Sequence, residues 1–510
     1  MSNTARPSSL LMEKGVHLIG DFFGQSSLCQ SGRDVRDIIQ SLGVPVEVLD
    51  LPLSTERVSK SGKLDFSEVE MKPPQSPVTI INWNADALPS VVSRLPKEFL
   101  KNRFIVGIWY WETEIFPESH ARGFDYVDEV WVLSKFIRDS LAKSSPVPVR
   151  NFPCYARSPK LPARMVFPEP LRNDRFVFLF CFDYNSVVRR KNPESFCKAF
   201  IKAFPEDKPD GPLCVVKSVS GKSHHTLEYV QLRRKFIHRR DIIFIDGWLP
   251  VEERDCLMAR AGCYVSLHRS EGLGLTLLES MALGKPCIAT AYSGNMDFST
   301  AENSWLIPFK MVPVGPWRWP YPQEHLWADP DLDAAAAAMR EAFGNPTLLA
   351  EKGRLSQESV RAHHCAEAVG ADLLQLLEKV ISSSPRPKPW MESSSGTVAD
   401  GQTLTSSERL NAREWLTKSK AAEKLARKKV KELSTIRLPK KAKNCMEKML
   451  ELIRMHEKTH AEMLRELSAV KKRLHGFHGP TFESLVRDRD LNRKIHLATL
   501  EVPGMSGEDA

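Results

Sequence analysis

Residues 262–297 read GCYVSLHRSEGLGLTLLESMALGKPCIATAYSGNMD, and this stretch decides the fold class. Residues 263–267 are an apolar run of strand length, Glu271-Gly272-Leu273-Gly274 is a glycine-rich turn, and residues 275–283 carry helix formers until Gly284-Lys285-Pro286 stops them. A second apolar run follows at residues 287–291. The order strand, loop, helix, strand puts the glycines where a strand feeds a helix. In a parallel sheet that loop lies at the carboxyl end of the strand, where open α/β folds bind ligands and the first helical N–H groups face an anion.

The same alternation extends outward in both directions. Toward the amino terminus, strand patterns occupy residues 15–20, 45–51, 78–83, 104–109 and 128–133, with a helix expected over 31–42 and a long surface loop over 52–76. Residues 176–182 form a continuous apolar run, as a strand buried on both faces requires, and further strands fall at 213–217 and 242–245. The reading is α/β, with two Rossmann-like doubly wound parallel-sheet domains facing across a cleft, at residues 1–170 and 171–381. Residues 312–321 are rich in Pro and Trp, and helices are expected over 332–343 and 347–381.

Composition narrows the class further. No run reaches the roughly 18 apolar residues of a membrane span, and residues 1–15 lack a secretory apolar core. The ten cysteines are scattered without a C-x-x-C pair, which suits buried free thiols in a reducing compartment; cytoplasm is the expected location. The formal charge of +9 is uneven: residues 401–475 hold 20 Lys or Arg against 9 Asp or Glu, so this segment carries +11 and the rest about −2.

Several side chains stand where chemistry is expected. Glu271 lies in the loop and Glu279 over one turn into the helix, so both can face one crevice at different depths and accept hydrogen bonds from two sets of hydroxyls. Taken as isolated residues, they read first as an N-terminal helix acid and a solvated helix residue, and only the surrounding letters favour a site. Residues 183–191 read DYNSVVRRK before Asn192-Pro193, an N-cap with proline at the first helical position. Adjacent cations at the ligand end of a strand are costly unless an anion meets them. Lys217 ends its strand, either at a base or phosphate edge or at the surface. Ser293, Gly294 and Asn295 bring small groups and N–H donors after the 287–291 strand, whereas His268 reads as structural. In the first half, Gly20-Asp21-Phe22-Phe23-Gly24 makes a ligand-end loop that is not a dinucleotide fingerprint. Residues 107–112, GIWYWE, put Trp111 and Glu112 at a strand end, where an aromatic and an acid suit a sugar.

The segments EGLGLTLLE, ALGKPCIAT, SGNMDF, RKNP and WYWE together resemble the retaining GT-B glycosyltransferases of family four, in which two Glu are separated by seven residues in a glycine-rich segment. That resemblance implies a nucleotide-sugar donor as substrate rather than cofactor, and a saccharide or lipid-linked saccharide acceptor in cell-surface polysaccharide or lipopolysaccharide synthesis. It implies that Glu279 holds the ribose, that Glu271 holds the transferred sugar, and that backbone around Gly272, Leu273, Gly274, Leu275 and Thr276 sits on sugar and diphosphate. Arg190 and Lys191 would neutralise the departing diphosphate without a metal, and Gly20, Asp21, Trp111 and Glu112 would serve the acceptor side. It also implies that the final helix crosses back onto the first domain. Relatives carry a second glycine-rich stretch opening the first helix, where this chain has Ser27-Leu28-Cys29-Gln30-Ser31-Gly32-Arg33.

Residues 382–405 read as a flexible linker, 406–475 as a basic helical tail and 476–510 as irregular chain. Met446, Met449, Ile453, His456, His460, Met463, Leu467, Val470 and Leu474 repeat at coiled-coil spacing, which suits self-association or partner docking. Residues 424–431, KLARKKVK, suit an anionic surface such as the inner leaflet; no base-reading motif accompanies them, so nucleic acid ranks last. The rival readings are another GT-B activity, an epimerase or a phosphorylase, and a non-catalytic scaffold acting through the tail.

Overall fold

The computed structural model describes residues 6–24, 26–51, 74–157, 159, 161, 167, 171, 174–316, 320–388 and 390, all within the first of two units, Met1–Glu392. The tail elements at 406–475 and 476–510, most of the 382–405 linker and most of the 52–76 loop lie outside these residues.

Two six-stranded parallel sheets organise the molecule. The first contains β1 (Val16–Gly20), β2 (Val46–Asp50), β3 (Val78–Ile81), β4 (Phe104–Ile108), β5 (Glu129–Val132) and β6 (Val149–Asn151), in the order β2-β1-β3-β4-β5-β6. The second contains β7 (Val177–Asp183), β8 (Leu213–Val219), β9 (Ile242–Asp246), β10 (Cys263–Ser266), β11 (Cys287–Thr290) and β12 (Ser304–Ile307), in the order β12-β11-β10-β7-β8-β9. Every residue of β1, β3, β4, β5, β10 and β11 is buried, because crossover helices cover both faces. Each sheet reverses its winding once, between β1 and β3 in the first and between β7 and β10 in the second. Ligand crevices open at such reversals, beyond the carboxyl ends of the strands.

The strands β1 to β5 and β7 to β11 match the sequence reading to within a few residues, whereas β6 and β12 are not among the expected strands. Helix starts are less legible. The first crossover helix is Ser27–Ser41 rather than 31–42, because the Ser26 hydroxyl accepts from Cys29 N at 3.2 Å and caps it four residues earlier. The 347–381 segment is two helices, Pro346–His363 and Ala366–Ile381, separated where the Cys365 side chain caps the second. That second helix does cross back: Gly370 lies against Ile38 and Leu42, and Glu378 accepts from Ser8 N at 2.6 Å. The described residues of the Pro/Trp-rich stretch, 312–316, 320 and 321, belong to an antiparallel hairpin of β13 (Phe309–Pro313) and β14 (Leu326–Pro330). Its Val314, Tyr321 and Trp327 pack with the aromatic cluster of the first sheet around Trp109, Trp111 and Phe124.

All nine described cysteines are free thiols, eight of them buried. No helix among the described residues is long and apolar enough to cross a membrane.

Candidate functional site

The second sheet's reversal brings two loops side by side. After β7, a 3-10 turn at Tyr184–Ser186 leads to Val187 at φ 56° and the short helix Val188–Lys191. Asn192 then adopts the left-handed region at φ 57°. It makes no side-chain cap; instead its Nδ2 donates to the Leu267 carbonyl at 2.8 Å, tying the β7 loop to the β10 loop. Arg190 is only 4% exposed, so this cation is buried and needs the anion that the sequence reading asked for.

Arg190 Nη1 donates to the Ser270 carbonyl at 2.9 Å and to Glu271 Oε2 at 3.1 Å, while Lys191 Nζ donates to Glu271 Oε1 at 2.6 Å. Both cations thus converge on one carboxylate. Burial alone would raise the Glu271 pKa, but Lys191 and Arg190 outweigh it and hold the group down to about 2. Burial lowers the Lys191 pKa, with Glu271 opposing that shift. Arg190 Nε is buried without a hydrogen-bond partner, so one donor of the guanidinium is unsatisfied.

The first lobe adds a second carboxylate. Glu112 Oε1 lies 3.8 Å from Arg190 Nη2, and Tyr321 donates its phenol to Glu112 Oε2 at 2.9 Å. Ser270 donates its hydroxyl to the Glu112 carbonyl. Trp111 is 3% exposed, spends its indole N–H on the Ile115 carbonyl at 2.8 Å and packs edge-on against Phe116 and His120. It also packs against Tyr321, the residue that donates to Glu112.

The glycine-rich turn is shaped by contact as much as by torsion. Gly274 sits at φ 88° as the N-cap of the helix Leu275–Ala282, a conformation that favours glycine. A Cβ on Gly294 would collide with the Gly272 carbonyl oxygen. That oxygen in turn accepts from Ser134 of the first lobe at 2.6 Å. Leu273 is buried, Leu275 and Thr276 are half-buried, and the Thr276 hydroxyl accepts from Tyr264 at 2.8 Å. Ser293, at φ 77°, accepts from Glu271 N at 2.8 Å, and Gly294 N donates to the Glu271 carbonyl at 2.9 Å, so this turn fixes the backbone of the carboxylate. Asn295 is fully buried, with Oδ1 3.1 Å from His268 Nε2; burial also lowers the His268 pKa.

Glu279 is not part of this cluster. Its Oε1 accepts from Arg254 Nη2 at 3.0 Å, and its Oε2 is buried with no hydrogen-bond partner. Burial raises its pKa, an effect Arg254 partly offsets. It lines a cavity of about 320 Å³ with Tyr155, Arg157, Arg254, Asp255 and Met258. Lys217 is 4% exposed and donates to the carbonyls of Ser218 and Gly247, so it is not a surface lysine. Gly20 and Asp21 lie at the end of β1, at the first sheet's own reversal, where Asp21 accepts from Gly24 N at 2.8 Å. Arg33 ties down the loop after β1, donating to the Phe22 and Gly24 carbonyls at 2.8 Å each.

The structure therefore joins Glu271, Arg190, Lys191 and Glu112 and sets Glu279 apart with Arg254. Tyr321, Ser270 and Arg254 escaped the sequence reading. Tyr321 and Ser270 stood in stretches singled out beforehand, but nothing local marked either among its neighbours.

Comparison with known proteins follows this geometry. Residues 166–311 match the family model described as glycosyl transferases group 1, a span that holds Arg190, Lys191, Lys217, Glu271 and Glu279. No curated protein matches the chain in sequence. Among solved structures, sucrose-phosphate synthase from Thermosynechococcus elongatus is 16% identical with a TM-score of 0.52, over 72% of this chain and 99% of that one. A glycosyltransferase from Rickettsia africae is 12% identical with a TM-score of 0.51, over 73% of this chain and 100% of that one. A mutant of TarM from S. aureus is 14% identical with a TM-score of 0.45 over 60% of this chain, which spans about half the length of that one, 55%. The likeness to the first two is one of fold, two Rossmann-like lobes of the GT-B type.

Proposed function

We propose that the chain is a retaining glycosyltransferase that moves a sugar from a nucleotide-sugar donor to a hydroxyl of a saccharide or lipid-linked saccharide. The observation that carries this reading is the convergence of Arg190 and Lys191 on Glu271 at the reversal point of the second sheet. Two fixed cations beside a helix N-terminus suit the charge that grows on a departing diphosphate, and a carboxylate at the same point suits sugar hydroxyls. The unsatisfied Arg190 Nε supports an acceptor atom arriving there.

In this reading the donor's ribose hydroxyls meet Glu279 Oε2, the buried oxygen that otherwise lacks a donor. The diphosphate draws Arg190 and Lys191, and Glu271, released from part of its ion pairing, turns to the sugar. The bond from the anomeric carbon to the diphosphate oxygen breaks, the acceptor oxygen bonds to that carbon from the face just vacated, and the acceptor proton passes to the leaving phosphate. Glu112, steadied by Tyr321, orients the acceptor hydroxyl from the first lobe. The cations perform the electrostatic work without a divalent metal.

Release of nucleoside diphosphate from UDP-, GDP- and ADP-sugars, preceded by a thermal-shift screen over the same compounds, tests the reading. Glu279→Ala is expected to weaken nucleotide binding and Glu271→Ala to depress turnover more than affinity. No thermal shift with any donor, together with no diphosphate release, refutes it.

A further inference from the structure

We propose that the helix Thr226–Phe236 and the turn after it form a docking surface for a lipid bilayer carrying anionic headgroups. This helix lies between β8 and β9, the edge strand of the second sheet, far in sequence from the four charged residues of the candidate cluster. It buries Tyr229, Leu232 and Phe236, which recur at steps of three and four and define its inner face. The opposite face should then be polar. Instead it exposes Leu227 at 65%, Val230 at 41% and, in the following turn, Ile237 at 79%. Successive steps of three and seven keep these three on one stripe.

Cations accompany the stripe. Arg234 lies on the same face, Arg233 flanks it, and Lys222 and Arg240 stand at its two ends, all exposed. Glu228 is the one acid within the helix, and it is held by His225 at 2.9 Å. Apolar side chains interleaved with arginine on a convex helix match a headgroup layer, where the aliphatic groups enter the acyl boundary and the cations meet phosphates.

Area argues against a protein partner. Three aliphatic side chains on one short helix cover a few hundred Å² at most, less than the roughly 500 Å² that each partner gives to even a small specific protein interface. A bilayer imposes no such threshold, since it adapts to a convex surface. The same chain carries +11 over residues 401–475, and two modest attachments together hold a protein at a membrane where either alone exchanges freely.

The test is cosedimentation of the full chain with vesicles of phosphatidylcholine and phosphatidylglycerol, and with phosphatidylcholine alone. Wild type is expected to bind the mixed vesicles and not the neutral ones. The triple variant Leu227→Ser, Val230→Ser, Ile237→Ser should lower the partition coefficient about tenfold or more. The pair Arg233→Ser, Arg234→Ser should lower it several-fold, and Val230→Trp should raise it. Leu227, Val230, Ile237 and Arg234 are exposed, so changes there should leave the thermal midpoint unchanged, whereas Arg233 also donates to the Tyr229 hydroxyl at 3.2 Å and its replacement is compared with Arg234→Ser alone. Wild type that ignores both vesicles, or a triple variant that binds like wild type, overturns the proposal. So does a concentration-dependent dimer that the triple variant dissolves without change in vesicle binding, which would give this face to a second copy of the chain.

Discussion

Replacing Glu271 with Gln keeps its shape and removes the charge that Arg190 and Lys191 share. The wild-type carboxyl titrates at about 2 against an ordinary 4.5, a difference worth about 3 kcal/mol to the folded state. Breaking a buried ion pair by deleting one partner costs about 3–5 kcal/mol, because the surviving charge stays desolvated. The two routes agree on about 3 kcal/mol. Since the folded pKa lies below the unfolded one, the contribution is complete above pH 4.5 and is lost as pH falls through about 2. Urea unfolding of wild type and variant, followed by circular dichroism, should therefore show the full difference at neutral pH and a shrinking one on acidification. Added pyrophosphate supplies a replacement anion and should recover more stability in the variant than in wild type. An unchanged urea midpoint, or equal protection of both proteins by pyrophosphate, would refute the account of these two cations.

Gly294→Ala drives a Cβ into a backbone oxygen and should cost several kcal/mol, whereas Gly315→Ala, with φ 78° and nothing within 4 Å, should cost about 1 kcal/mol; thermal midpoints compare them. Lys388→Met strips the buried Asp128 of its 2.6 Å ion-pair partner and should destabilise by about 3–5 kcal/mol in urea unfolding. His17 is buried, and its pKa is depressed from 6.5 to about 4, chiefly by burial and further by Arg103, so the fold needs it neutral. Stability should be full above pH 6.5 and erode by up to about 3 kcal/mol toward pH 4, and His17→Gln should remove that part of the slope in a denaturation series. On the proposed mechanism, prolonged dialysis against a chelator should leave diphosphate release unchanged.

The fold was legible because its signals are local. Strands buried on both faces print uninterrupted apolar runs, as in Phe178 to Phe182, and glycine marks the turns between strand and helix. The site was legible in its residue types but not in its pairing. Arg190 and Glu271 are separated by most of three crossover units in sequence, and only the reversal of strand order between β7 and β10 makes them neighbours. Nothing in the helix Leu275–Ala282 says that Glu279 turns toward Arg254, a residue on a different helix whose own segment, VEERDC, reads as an ordinary charged surface. Tyr321 was hidden for another reason. The hairpin strands FKMVP and LWADP carry proline and lack the alternation that announces a strand, so Tyr321, in the connection between them, reaches Glu112 through tertiary packing alone.

The glycine-rich turn joins the two lobes as well as lining the candidate site. The Gly272 carbonyl accepts from Ser134, its Cα faces the Trp111 carbonyl where a Cβ would stand at 2.9 Å, and Gly294 is stacked on it from behind. Three positions beyond Gly294, Asp297 accepts from Lys135 N at 2.7 Å, a second bond from the same face of the second lobe to the helix that follows β5. Separating the lobes must therefore break bonds held by the very loop that carries Glu271. Because Arg190 stands between Glu271 on one lobe and Glu112 on the other, the same separation also lengthens one of its two carboxylate contacts. Separation of the lobes would thus break the Ser134 bond to Gly272 and lengthen the contact of Arg190 with Glu112 together.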